Sequence, residues 1–391
     1  MRAALLLALG IGAATPAGAA VHFVVRPPGG TPAGQALHVS GDLAALGSWD
    51  GKGITLAPAA DGTWRGMLTL PAGTAFEFKV TRGGWDTVEK EAGGGERANR
   101  RAVATAGEDT LRIDVAAWRD QTEAPGAARA HTITGTVARH EAFPSKHVAS
   151  RDIAVWLPPG YERQSLRRYG VVYFHDGQNV FDGATSFIPG QEWRADEAAD
   201  GLIRAGRIPP VIMVAVPNTA ARVDEYTFEN GGPRGGGKSD DYFRFLVEEL
   251  MPFINANYRT LTDPAHTTVI GSSLGGLASL DLGFAHPERF GRIGCVSPAV
   301  WWADTAIVGR VRTAGKQPLR IWLDIGTAES TSPNTGRKVW LDHARVLRDA
   351  LVNAGWREGA DLHYEEIEGA AHNEAAWAAR ISRILEYLLA P

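Results

Sequence analysis

Between residues 21 and 117, apolar and polar positions alternate in short runs, at 21–25, 36–40, 66–70, 76–80 and 110–115, with no helical periodicity. Turn residues separate these runs, among them Pro27-Pro28-Gly29-Gly30 and Ala60-Asp61-Gly62. The pattern predicts a small all-β, immunoglobulin-like sandwich. Residues 118–130 are polar and alanine-rich with one Pro-Gly, and read as a linker. From residue 131 the pattern changes. Unbroken apolar runs at 152–157, 170–174, 210–216, 267–270, 293–296, 319–325 and 362–367 alternate with helical spacing at 197–205, 240–254 and 374–389. Such strands are buried on both faces, so an α/β fold with a mostly parallel sheet is expected over 131–391. Ligands of such sheets bind at the carboxyl ends of the strands.

The amino end adds a third segment. Arg2, an apolar run over 3–11 and the small residues Ala17-Gly18-Ala19 have the form of an export signal spanning 1–19, so the first domain would be 20–117 and the protein secreted or periplasmic. No later apolar run is long enough to span a bilayer. A net charge of -4 gives no reason to expect nucleic acid as a partner. Cys295, the one cysteine, lies within an apolar strand and reads as packing.

The chemistry centres on Gly271-Ser272-Ser273-Leu274-Gly275, between a β-branched run and an apolar helix. Gly271-x-Ser273-x-Gly275 has the form of a nucleophile elbow, a sharp strand-to-helix turn that lifts a serine hydroxyl above the sheet. Its flanking glycines avoid collision with neighbouring strand and helix. The amide of Leu274 would face a developing oxyanion. His372 follows the last strand and precedes the last helix, where a general base is needed. His286 and His363 have weaker positions. Three carboxylates can orient the base: Glu329 in the loop past its strand, Asp324 inside that strand, and Asp304 after the preceding one. A second oxyanion amide is expected near Gly177 or Gln178, in the turn after an early buried strand. Gly232-x4-Gly237-Lys238-Ser239 fits the phosphate-loop pattern but lacks the apolar strand that loop requires, and reads as a flexible loop near the site. No His/Cys/Asp cluster has ligand spacing, so no metal or organic cofactor is expected.

Several stretches together resemble the esterase D-like putative-esterase family of α/β-hydrolases: His175 to Asn179, Arg222 to Tyr226, Gly271 to Gly276, Ser297-Pro298 with Trp301-Trp302, Gly326 to Glu329, and His372-Asn373-Glu374. The resemblance implies an α/β-hydrolase fold with a Ser273, His372 and Glu329 triad and an oxyanion hole from the amides of Gln178 and Leu274. Asp176, Trp193, Arg222, Tyr226, Trp301 and Trp302 would line the cleft. Val39 to Asp50, Trp64, Phe76 to Val80, Val88 to Glu91 and Asn99-Arg100 resemble a starch-binding module of the family 20 type. Trp49 matches one of that family's two stacking tryptophans. Lys90 stands where the other is usual, with Trp85 nearby as a substitute aromatic. Trp49, Trp85 and Lys79 are the candidate sugar-binding residues; Trp64, on an alternating strand, reads as core. The combined expectation is a secreted serine esterase acting on small-molecule or carbohydrate esters of acetyl or feruloyl type, with a polysaccharide as partner of the first domain. A siderophore esterase, an acyltransferase, or a non-catalytic carbohydrate-binding protein are the alternatives.

Overall fold

The computed structural model describes residues 18–122, 130–188, 190–329 and 338–390. Most of the expected export signal (1–17) and of the expected linker (123–129) lies outside them. The chain divides near residue 127 into two compact units.

The first unit is a β-sandwich. One four-stranded sheet runs Ala57–Pro58, Trp64–Pro71, Gly18–Arg26, Gly107–Asp114; the other runs Ile54–Thr55, His38–Gly41, Ala75–Thr81, Arg100–Val103. Alternation puts Val21, Phe23 and Val25 inside, facing Phe76, Phe78 and Val80 from the opposite sheet. Gly18 and Ala19 already belong to the first strand, pairing with Pro71 and Leu70. The sandwich also extends past its expected limit at 117. Trp118 is buried, donates its indole N–H to Thr31 Oγ1 at 2.9 Å, and leads into a helical turn at Arg119–Thr122. Polar composition suggested a linker here, but a single large aromatic draws these residues into the core.

The second unit holds an eight-stranded sheet. Its strands are numbered within this unit: β1 Thr136–Phe143, β2 Arg151–Leu157, β3 Gly170–His175, β4 Val211–Val216, β5 Thr267–Ser272, β6 Arg292–Val296, β7 Arg320–Gly326 and β8 Leu362–Ile367. The spatial order is β1-β2-β4-β3-β5-β6-β7-β8. β2 is antiparallel to both β1 and β4, and all other pairings are parallel. This is the α/β-hydrolase arrangement. Val171, Tyr173, Val269 and Ile293 pack on one face of the sheet; Val172, Phe174, Ile270 and Trp322 pack on the other.

Two helices depart from the simple pattern. The predicted helix at 240–254 spans 239–257 and includes a π-helical turn at Phe245–Leu250 just before Pro252. Proline has no N–H to give to the preceding turn, and the wider turn absorbs the mismatch. The predicted last helix is two, Glu374–Ala378 and Ile381–Leu389, with Arg380 between them at φ -121°. That break turns the Arg380 side chain inward, where it is 1% exposed.

Candidate active site

β5 delivers Ser273 directly into the helix Leu274–Ala285, and Ser273 itself has φ 56° and ψ -122°. An L-residue at positive φ with ψ far from the left-handed helical value is strained and persists only where its surroundings impose it. Here they do. The Ser273 amide donates to Val296 O at 3.1 Å, and its carbonyl accepts from Leu277 N at 3.1 Å and Ala299 N at 2.9 Å. Gly271 is indispensable to the turn, because a Cβ there would lie 2.4 Å from Gly275 O. Gly275 is less constrained: its Cβ would meet His175 Cβ and Asp176 Oδ2 at 3.2 Å. Ser273 remains partly exposed although the helix behind it is buried.

Across the neighbouring strand ends, His372 and Glu329 meet. His372 Nδ1 lies 2.8 Å from Glu329 Oε2, so this ring nitrogen donates to the carboxylate. The Glu329 side chain is fully buried and that of His372 is 21% exposed. The other Glu329 oxygen is held by Gly326 N at 2.7 Å and Ser297 Oγ at 2.5 Å. Gly326 has to be glycine here: a Cβ would stand 2.3 Å from Ala370 O and 2.7 Å from Glu329 Oε1. The imidazole is wedged edge-on between Trp340 and Trp377, with ring centroids 4.9 and 5.1 Å away.

The other two carboxylates go elsewhere. Asp324 receives Arg380 Nη2 at 2.8 Å and Nε at 3.1 Å, Trp322 Nε1 at 2.6 Å and Ser297 N at 3.0 Å, a buried ion pair that tethers the last helices to β7. Asp304 is exposed in a left-handed turn at 303–305. Of the other histidines, His363 stacks on Trp322 at 4.0 Å and His286 lies beside Glu288. His175 is buried, and burial pushes it down to about 4.

The turn after β3 is equally tight. Gly177 packs against β4 so closely that a Cβ would be 2.3 Å from Val216 N. Gln178 follows, its side-chain oxygen accepting from Asn218 N at 3.2 Å. Gln178, Phe181, Thr185, Asn218, Thr219 and Arg139 are among the walls of a cavity of about 410 Å³ beside this turn; the cavity lining does not include Ser273, Leu274 or His372. Asp176 immediately precedes Gly177 in a left-handed conformation, and Arg222 grips both of its oxygens at 2.7 Å while Asn218 Nδ2 donates at 2.5 Å. Burial alone would raise this carboxyl, but the Arg222 guanidinium holds it below the usual range.

The expected cleft residues therefore separate. Asp176, Arg222 and Tyr226 form one cluster, with the Tyr226 hydroxyl accepting from Asp176 N at 3.0 Å. Trp193 is 2% exposed and packs in the core against Phe174 and Trp377. Trp302 is also buried and donates to Glu229 O at 2.7 Å. Trp301 is partly exposed and stacks on Trp340, at 6.0 Å and 19°. The glycine-rich segment 231–237 wraps Trp302: Cβ atoms at Gly231 and Gly236 would lie 2.6 and 2.7 Å from its ring. Lys238, just past the segment, pairs with Asp224 at 2.7 Å at the surface, and Gly232, Pro233 and Gly237 are exposed. Ser297, Trp340, Trp377 and Arg380 surround the His372–Glu329 pair without having been singled out for that place. Their residue types carry no chemical motif, and only Ser297 and the expected final helix pointed to this region.

In the first unit, Trp49 and Trp85 come together, with ring centroids 6.0 Å apart and the Trp85 indole donating to Trp49 O at 3.0 Å. Both are partly exposed. Lys79 is turned inward and pairs with Glu96 at 3.6 Å, and the buried Lys90 pairs with the same carboxylate at closer range.

Residues 148–388 match the family model for putative esterases. The chain belongs to that family. Residues 18–110 match the starch-binding domain model. Among curated relatives, the ferri-bacillibactin esterase BesA of Bacillus subtilis is 26% identical, the match covering 68% of this chain and 93% of that protein. An endo-1,4-beta-xylanase/feruloyl esterase of Xylanibacter ruminicola is 25% identical over 60% of this chain, and 28% of that protein is covered. The enterobactin esterase FES from Shigella flexneri has a similar fold, with a TM-score of 0.53 at 16% identity, covering 94% of this chain and 92% of that one. Membership makes this esterase an enzyme, and the α/β-hydrolase fold and the starch-binding domain stand with it.

Proposed function

We propose that this esterase is an exported serine hydrolase that cleaves acetyl or feruloyl esters of carbohydrate. Ser273 Oγ attacks the ester carbonyl while His372 Nε2 takes its proton, and the amides of Gln178 and Leu274 receive the oxyanion. Collapse expels the alcohol, which leaves with the proton from His372. Water, deprotonated by the same imidazole, then releases the acid and restores the serine. Glu329 holds the ring in the tautomer that leaves Nε2 free to accept. The observation that carries this reading is the 2.8 Å contact from His372 Nδ1 to a buried Glu329 carboxylate. The strained backbone at Ser273 supports it from the other side.

The preference for carbohydrate rests on the starch-binding domain and on the feruloyl esterase relative. The cavity beside Gln178 is where we place the sugar ring, since Phe181 offers an apolar wall and Asn218, Thr219 and Thr185 line it with polar side chains. The relative BesA favours a second reading, hydrolysis of a siderophore ester. Ser273→Ala is expected to abolish p-nitrophenyl acetate cleavage in a folded protein, and undiminished turnover refutes the triad. Comparing kcat/KM on acetylated xylan, feruloylated oligosaccharides and a catecholate trilactone then selects the substrate. A new ester formed with an added sugar acceptor would indicate acyl transfer.

A further inference from the structure

We infer that Ser297 is a positioning residue that aims the Glu329 carboxylate at His372; this rests on the reading of Glu329 as the triad acid. Ser297 follows β6, is 1% exposed, and has φ 43°. A serine in the left-handed region of a buried strand end is costly, so something must hold it there. Its hydroxyl has three polar neighbours. Arg380 Nη2 donates to Ser297 Oγ at 2.6 Å and Trp377 Nε1 donates at 3.2 Å. Both are obligate donors, and together they fill the acceptor capacity of the hydroxyl. Its one proton is then forced toward the third neighbour, Glu329 Oε1, at 2.5 Å.

The consequence is directional. With Ser297 Oγ and Gly326 N both donating to Oε1, the carboxylate plane is set, and Oε2 is the oxygen left for His372 Nδ1. A free carboxylate could rotate and share either oxygen. Arg380 completes the frame. It is clamped bidentately by Asp324, so it reaches Ser297 from a fixed direction, and its guanidinium stays 3.8 Å from Glu329 Oε1. Trp377 joins the two halves, since the indole that donates to Ser297 also packs its ring against His372. Asp324, which resembles a triad acid in sequence, thus acts one step removed by fixing the arginine that fixes the serine.

The test is a double-mutant cycle on p-nitrophenyl acetate hydrolysis with Ser297→Ala, Ser297→Gly, Glu329→Gln and the combined Ser297→Ala/Glu329→Gln protein. Glycine tolerates the positive φ, so it removes the hydroxyl without retaining backbone strain. Both Ser297 variants are expected to lose about 10- to 100-fold in kcat, by analogy with partners that orient metal-ligating side chains, with KM within about threefold. In the Glu329→Gln background the alanine substitution is expected to have no further effect, because its action runs through that carboxylate. Equal losses in both backgrounds would mean a merely structural serine and would overturn the inference, as would a Ser297→Gly enzyme with parental kcat. A Glu329→Gln enzyme with parental kcat would instead bring down the triad reading itself, and this inference with it.

Discussion

Replacing Gly271 by alanine isolates the steric core of the elbow. The added methyl would meet three backbone atoms of Gly275, at 2.4, 2.5 and 2.9 Å. Unstrained carbon contacts lie at about 3.5–4.0 Å, so strand and helix must separate by about 1 Å. No side chain can rotate aside, because every clashing atom is main chain, pinned by the Ser273 bonds to Val296, Leu277 and Ala299. Overpacking of this kind costs about 1–3 kcal/mol, which is roughly 3–10 °C in Tm for a domain of this size. Displacing a nucleophile by about 1 Å costs on the order of 100-fold in rate. Gly275→Ala is the internal control. Its Cβ meets His175 and Asp176 side-chain atoms at 3.2 Å, and alanine favours the helix by about 1 kcal/mol, so the two effects nearly cancel. The assay is Tm by calorimetry together with kcat on p-nitrophenyl acetate for both variants. The expected order is a large loss for Gly271→Ala and a change within about threefold in kcat for Gly275→Ala. Gly271→Ala with parental Tm and kcat, or Gly275→Ala as the more damaging change, would refute the steric account of the elbow.

Two further predictions concern other parts of the chain. Burial pushes the Asp281 carboxyl on the elbow helix up to about 7, with Arg310 at 2.7 Å and Ser239 at 3.2 Å opposing the rise. The unfolded chain releases that proton near pH 4, so the native state holds the extra proton between about 4 and 7 and stability falls as pH rises through that window, by roughly 4 kcal/mol at most. Asp281→Asn should flatten the Tm profile between about pH 4 and 7, and a variant with the parental slope would rule this out. In the first unit, Trp49→Ala with Trp85→Ala should weaken binding to soluble starch by about 5- to 150-fold, taking about 0.5–1.5 kcal/mol for each stacked ring. Unchanged retention on a starch affinity gel would show that this surface does not bind glucan.

Local patterns reached much of this molecule. The period-two runs specified a sandwich, the unbroken apolar runs specified a doubly covered sheet, and Gly271-x-Ser273-x-Gly275 specified a turn, because each depends on residues a few positions apart. The antiparallel strand β1 escaped: Thr136–Phe143 carries Arg139, His140 and Glu141 at an exposed sheet edge, so its apolar signal is thin. The break at Arg380 escaped as well, because helical periodicity at 374–389 continues through a residue whose conformation is decided by Asp324, 56 positions away. The acid was partly legible. Position along the chain already favoured Glu329, in the loop past its strand, over Asp324 inside that strand and Asp304 after the preceding one; what each meets after folding is an imidazole, a guanidinium, or solvent. Spacing along a chain encodes backbone shape, whereas the pairing of a carboxylate depends on side chains brought together from β6, β7 and the final helices. The sequence could rank the three carboxylates, but only the tertiary structure supplies their partners.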